Sequence, residues 1–154
     1  MWWRRVRYVL LLAALCAIAT CPAAKRSCTA KNRATEAEQL LAYLAEKVTL
    51  SYLATGKLPQ GAGPTPRPSC CDQGGTCEPD PSTWAAPGWV ALGFSIDDEY
   101  RYAYEYAPDP SGTSAMLRAT GDLDCDGKTS LHEVKLTISG GTVLQAWTET
   151  DPYE

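Results

Sequence analysis

The chain is expected to fold as an α+β domain, an N-terminal apolar segment and an amphipathic helix packed on a four-stranded antiparallel sheet. Three observations predict this: apolar residues at helical spacing from Ala37 to Tyr52, tyrosines alternating from Tyr100 to Tyr106, and further strand-like stretches joined by turns up to Trp147. A length of 154 residues suits one domain with a real core plus an export or anchoring segment, and leaves little chain for a second full domain.

Residues 1–24 open with Arg4, Arg5 and Arg7, continue as an apolar run from Val9 to Ala19, and end in small residues around Thr20 to Ala24. A basic end, a short apolar core and a small-residue exit form the order of an export signal. The uninterrupted core is shorter than the roughly 20 residues a spanning helix needs, although counting from Tyr8 to Ala24 brings it near the lower limit. A cleaved signal, a retained anchor facing the periplasm and lipidation at Cys21 are the three forms this segment allows. Each takes the rest of the chain out of the cytoplasm.

Residues 25–56 start with a basic stretch and become an amphipathic helix. Ala37, Leu41, Leu44, Val48 and Ser51 recur at steps of three and four, with Leu40 and Tyr52 widening the apolar stripe. Thr35 and Glu38 suit a capping box, and Gly56 and Pro59 supply the stop. Residues 57–88 shift to Pro, Gly, Ser and Cys and read as a long loop pinned by cysteines, with Trp84 and Trp89 as apolar anchors near its end.

Residues 89–154 are strand material. Tyr100, Tyr102, Tyr104 and Tyr106 alternate with Arg101, Ala103, Glu105 and Ala107, which gives a strand two distinct faces. The tyrosines suit a packed sheet face better than a sugar-binding surface. Further strands are expected at Ser114 to Thr120, Glu133 to Ser139 and Thr142 to Trp147, with Gly140-Gly141 turning the last pair.

The connection between the second and third of these strands carries the sharpest chemical signal. Residues 122–133 match the calcium-loop pattern D-x-D-x-D-G-x5-E in full. Ca²⁺ takes about 6–8 oxygens, and Asp122, Asp124 and Asp126 would supply carboxylates if the chain turns sharply at Gly127. Lys128 would offer its carbonyl, Ser130 its hydroxyl or a water, and Glu133 both carboxylate oxygens. The preceding stretch lacks helical periodicity, so the expectation is a calcium loop without paired helices. A bare polar turn is the competing reading, because Asp and Gly favour turns for reasons of their own.

Seven cysteines fit an oxidising destination. Cys16 and Cys21 fall in the apolar segment, while Cys70, Cys71 and Cys77 cluster in the loop. A disulfide is expected from Cys71 to Cys77, with Cys70 to Cys77 as the alternative, since a bond between adjacent cysteines is strained. Zinc held by these three and His132 would be the other use of the cluster, but the spacing matches no zinc knuckle.

A formal charge of −4, from 14 basic and 18 acidic residues, argues against a nucleic-acid partner. Catalysis is not expected either. His132 is the single histidine and sits inside the calcium pattern, and the sequence holds no G-x-S-x-G elbow, zinc-binding histidine pair or phosphate loop. Asp97 and Asp98 read as a solvated turn.

The order of parts resembles a known family. Ala17-Ile18-Ala19-Thr20-Cys21-Pro22 is similar to the end of a type IV pilin's apolar segment, and Ala30 to Ala37 with Leu44-Ala45-Glu46-Lys47 to the polar part of the pilin helix. Trp89 to Ser95, Tyr100-Arg101-Tyr102 and Ala119 to Asp124 resemble the globular half of pilin-like proteins of delta-type proteobacteria. The resemblance, to type IV pilins and the pseudopilins of type II secretion, touches most of residues 17–135. It implies a pilin-like fold, a non-enzymatic structural or assembly role, envelope or pilus and secretion proteins as partners, and an inner-membrane tether if the N-terminal segment is uncleaved. The prepilin peptidase motif is missing: Met1 to Arg7 contains no Gly, and no acidic residue precedes Glu36. The alternative reading is a free-standing secreted or periplasmic binding domain that holds a glycan or protein on its tyrosine face or on the loop from Gly61 to Pro87.

Overall fold

Alternating apolar residues and a single amphipathic stripe set the architecture, seen in a computed structural model that describes residues 31–154. The expectations for residues 1–24, together with Cys16 and Cys21, lie outside the described residues. Helix α1 covers residues 31–55. Its buried positions are Ala34, Ala37, Leu41, Leu44, Ala45 and Val48, one stripe at steps of three and four. The fully buried Leu41, Leu44 and Val48 each contribute roughly 1.5–3 kcal/mol. The helix stops at Gly56, which takes a left-handed φ of 71° and donates its N–H to the Tyr52 carbonyl at 2.7 Å. Residue 31 is already helical, so Thr35 and Glu38 lie inside the helix and form no capping box.

The sheet has five strands, not the expected four. They run β1 (Ala62–Thr65), β2 (Ala103–Pro108), β3 (Ser114–Gly121), β4 (Ser130–Ser139) and β5 (Thr142–Thr150), and neighbours in sequence are antiparallel neighbours in the sheet. The additional strand is β1, in the segment read as loop. Ala-Gly-Pro-Thr shows no alternation and contains a proline, which a strand tolerates only at an edge. Tyr100 and Tyr102 of the expected tyrosine strand lie outside β2, and Tyr100 forms an isolated bridge with Cys77. Among the described residues no helix is long and apolar enough to cross a membrane.

One sheet face is the core. Tyr100, Tyr102, Tyr104, Tyr106, Leu117, Val134 and Leu136 share a single buried cluster with the α1 stripe. All four tyrosines are at most 1% exposed, so the tyrosine face is packed and unavailable to a glycan. Trp84, Trp89 and Phe94 extend the cluster, with ring centroids 5.2–5.4 Å apart, and Trp89 Nε1 donates to Thr65 Oγ1 at 2.9 Å. Trp89 belongs to a short helix α2 (Pro87–Leu92), opened by its proline and closed by Gly93 in a left-handed conformation. The opposite face carries a cross-strand row in which Arg118 of β3 bridges Glu105 of β2 at 3.1 Å and Glu133 of β4 at 2.8 Å.

Candidate metal centre

The β3–β4 connection follows from the ends of the two strands. β3 terminates at Gly121, where any Cβ would come within 2.7 Å of the Tyr102 ring, so glycine is required for close packing. The chain then folds on itself through aspartate side chains. Asp122 Oδ1 accepts the Asp126 N–H at 3.1 Å, Asp122 Oδ2 accepts the Gly127 N–H at 2.9 Å, and Asp126 Oδ1 accepts the Lys128 N–H at 2.9 Å. Gly127, at φ 95°, makes the turn that a side chain would oppose.

This folding brings one carboxylate oxygen each from Asp122, Asp124 and Asp126 to within 4.8 Å of one another. Ser130 and Glu133 of the predicted ligand set are placed elsewhere. The twelve-residue loop needs its last position to return to the ion, which a helix after the loop achieves. Here β4 begins at Ser130, and strand alternation sends Ser130 and Glu133 to opposite sheet faces. Ser130 Oγ is buried, 3.2 Å from the Gly121 carbonyl and 3.3 Å from the Tyr102 hydroxyl. Glu133 is engaged by Arg118, whose guanidinium is held charged chiefly by the hydrogen bond to Glu133 and then by that to Glu105. Lys128 bends its ammonium to 3.2 Å from Asp126 Oδ2, and the Lys128 N–H and ammonium hold the Asp126 carboxyl below its usual range. His132 lies in the core, its ring edge-on to Tyr102 at 5.6 Å.

Three carboxylates at a glycine turn fit a hard divalent cation, and the chain supplies them without the bidentate closing Glu. Such a half-shell relies on backbone oxygens and water for its remaining ligands. A calcium ion held by such a half-shell would fall among the weak sites of extracellular modules, with Kd of about 10⁻⁴–10⁻³ M.

The loop is fastened from outside. Cys71 pairs with Cys125, which sits at the fourth loop position with φ 61°, and Cys70 pairs with Cys77. The expected Cys71–Cys77 bond is thereby corrected: the alternative partner, Cys70, closes the short ring. Cys71 instead faces the β3–β4 loop, its Sγ 2.9 Å from the Asp122 carbonyl oxygen. Sequence spacing favoured the nearby cysteine and held no signal for a partner 54 residues away. With all three cluster cysteines oxidised, the zinc reading has no thiolates to use. Arg33 of α1 donates to the Leu123 carbonyl, tying the loop to the helix, and Leu123 itself is buried in the core.

A second feature borders the loop. The strap Pro64 to Pro68 separates two clefts, one of about 430 Å³ that reaches Arg101, Glu105 and Asp122, and one of about 570 Å³ that reaches Gln73, Glu78 and Tyr100. Comparison of the chain with protein-family models, curated proteins and solved structures finds no match.

Proposed function

We propose that the chain is a non-enzymatic, exported structural or assembly protein of pilin-like kind, in which a weakly bound calcium ion stiffens the β3–β4 loop. The observation that carries this reading is the convergence of Asp122, Asp124 and Asp126 in a loop already held by the Cys71–Cys125 bond. Two disulfides suit an oxidising compartment, and millimolar calcium outside the cytoplasm suits a site of this affinity. The long helix laid on an antiparallel sheet, and the resemblance along residues 17–135, support the structural role. The ligands are Asp122, Asp124, Asp126 and the Lys128 carbonyl; Ser130 and Glu133 serve the fold.

Thermal melting of the oxidised chain with Ca²⁺ against chelator tests the ion, with Mg²⁺ as control. A tenfold excess over Kd stabilises by about 1.4 kcal/mol. Asp126→Asn should abolish the gain, and Lys128→Gln should tighten binding by removing the competing ammonium. An unchanged midpoint at tens of millimolar Ca²⁺ would count against the site. Fractionation of the native envelope tests the role: an intact N-terminus in the inner membrane agrees with a pilin-like tether.

The clefts beside the proline strap favour one second reading, a secreted binding domain for a glycan or protein. Arg67 lines both clefts, so a processed, soluble chain that retains a ligand, and loses it on Arg67→Ala, would support that reading over the first.

A further inference from the structure

The two edges of the sheet are finished differently. β1 has four residues, includes Pro64, is followed by Pro66 and Pro68, and pairs with β2 through an irregular register. Shortness, proline and irregularity are the devices that stop an edge strand from templating another chain. β5 has none of them. It is nine residues long, pairs with β4 in unbroken register from Ser139↔Thr142 to Leu131↔Thr150, and contains no Pro, Lys or Arg. Every residue but Val143 is exposed, including Leu144 at 54% and Trp147 at 42%.

The ladder decides which backbone groups point outward. Ile138 donates its N–H to the Thr113 carbonyl at 2.8 Å, so even-numbered β4 residues bond towards β3 and odd-numbered ones towards β5. The partners of the odd-numbered residues, Thr142, Leu144, Ala146, Thr148 and Thr150, direct their amides to β4. Val143, Gln145, Trp147 and Glu149 therefore direct theirs out of the sheet.

We propose that β5 is a dimerisation strand: two copies of this chain pair through it, antiparallel about a two-fold axis at Ala146, and join their sheets into one. Opposed residues in a sheet must share a face, so the axis passes through a residue, and only Ala146 overlaps the whole strand. Val143 then exchanges backbone bonds with Glu149 of the second copy, and Gln145 with Trp147. The charges agree with a second copy as occupant. Glu149 is the strand's one charge, and this register sets it against Val143 of the other copy, far from the other Glu149. Lys135, which pairs with Ala146, is kept from its counterpart by both β5 strands. Trp147 pairs with the buried Val134 and so lies on the α1 side, where it covers Gln145 of the second copy; Leu144 covers Thr148 on the open face. An edge contact falls below the roughly 1,200–2,000 Å² of stable interfaces, so the dimer is weak and concentration-dependent.

Sedimentation equilibrium on the full oxidised chain, from micromolar to millimolar, tests the proposal. Wild type should show a monomer–dimer equilibrium. Gln145→Pro removes an outward N–H that the β4 ladder does not use, and should leave a monomer with unchanged circular dichroism. Trp147→Lys, a charged gatekeeper on the same edge, serves if the proline variant fails to fold. A wild type that stays monomeric to millimolar overturns the proposal. So does a dimer that persists in either folded variant, which would assign the contact to another surface, residues 1–30 included.

Discussion

The stretch from Ala62 to Phe94 and the meander from Ala103 to Thr150 are held by different physics. The meander is held by repetition: consecutive antiparallel ladders, with alternate side chains of β2, β3 and β4 delivered to one buried face. The earlier stretch has little regular structure and hangs on a few attachments, namely two indoles, two disulfides and a short edge strand. Stability spread over many similar contacts tolerates loss of one. Stability concentrated in a few does not, so substitutions at the attachments should cost the most.

The largest effect is expected at Trp89, which is fully buried, packs edge-on against Trp84, and hydrogen-bonds Thr65. Trp89→Ala should destabilise by roughly 3–5 kcal/mol in urea melting, as large-to-small aromatic replacements in cores do. Removing the Cys71–Cys125 bond by a double serine substitution comes next. Its 54-residue separation gives about 4 kcal/mol as the chain-entropy ceiling, against about 2.5 kcal/mol for the seven-residue Cys70–Cys77 separation. Reductant should erase the difference between wild type and the double variant. If Cys71–Cys125 removal cost less than Cys70–Cys77 removal, the β3–β4 loop would not be the anchoring point assigned to it.

The same contrast explains what could be read in the sequence. Leu41, Leu44 and Val48 announce a helix face, and Tyr104 and Tyr106 a strand, because a periodic element repeats its signal at each turn or pair of residues. β1 carries no such signal because Ala62–Thr65 has no alternation, and Cys125 gives no sign of its partner because a disulfide depends on the finished fold. Half of the candidate site was legible for a local reason: aspartates before a glycine favour a turn, because their side chains bond backbone N–H groups a few residues on. The other half was not, since Ser130 and Glu133 obey the strand that captured them.

A smaller effect is expected at Glu36, the helix residue that joins α1 to the start of the meander. Its carboxylate accepts the Arg101 N–H at 2.7 Å and pairs with the guanidinium at 3.3 Å. Burial raises its pKa above 4.5, and the Arg101 contacts offset this only in part. The folded state then holds a proton that the unfolded state releases, so stability falls as pH rises from about 4.5 through the raised value. Glu36→Gln should flatten that segment of a pH–stability curve while leaving the rest unchanged. An equally steep decline in the variant would place the titrating group elsewhere.

The smallest effect is expected on the open face, at Arg118. Its bridges to Glu105 and Glu133 are part exposed, with side-chain exposures of 38%, 30% and 25%, so solvent screens them. Arg118→Met, which keeps much of the apolar stem, should cost about 1 kcal/mol or less, and less again in high salt. Its value lies in what it does to Glu133. If that carboxylate were a calcium ligand kept away by Arg118, freeing it would complete the shell and tighten Ca²⁺ binding by well over tenfold. If the strand has removed it from the loop, as the opposite facing of Ser130 and Glu133 requires, calorimetry should give the same Kd in Arg118→Met as in wild type. A tightened Kd would mean that the first four residues of β4 peel away on binding, and that the loop, not the ladder, controls residues 130–133.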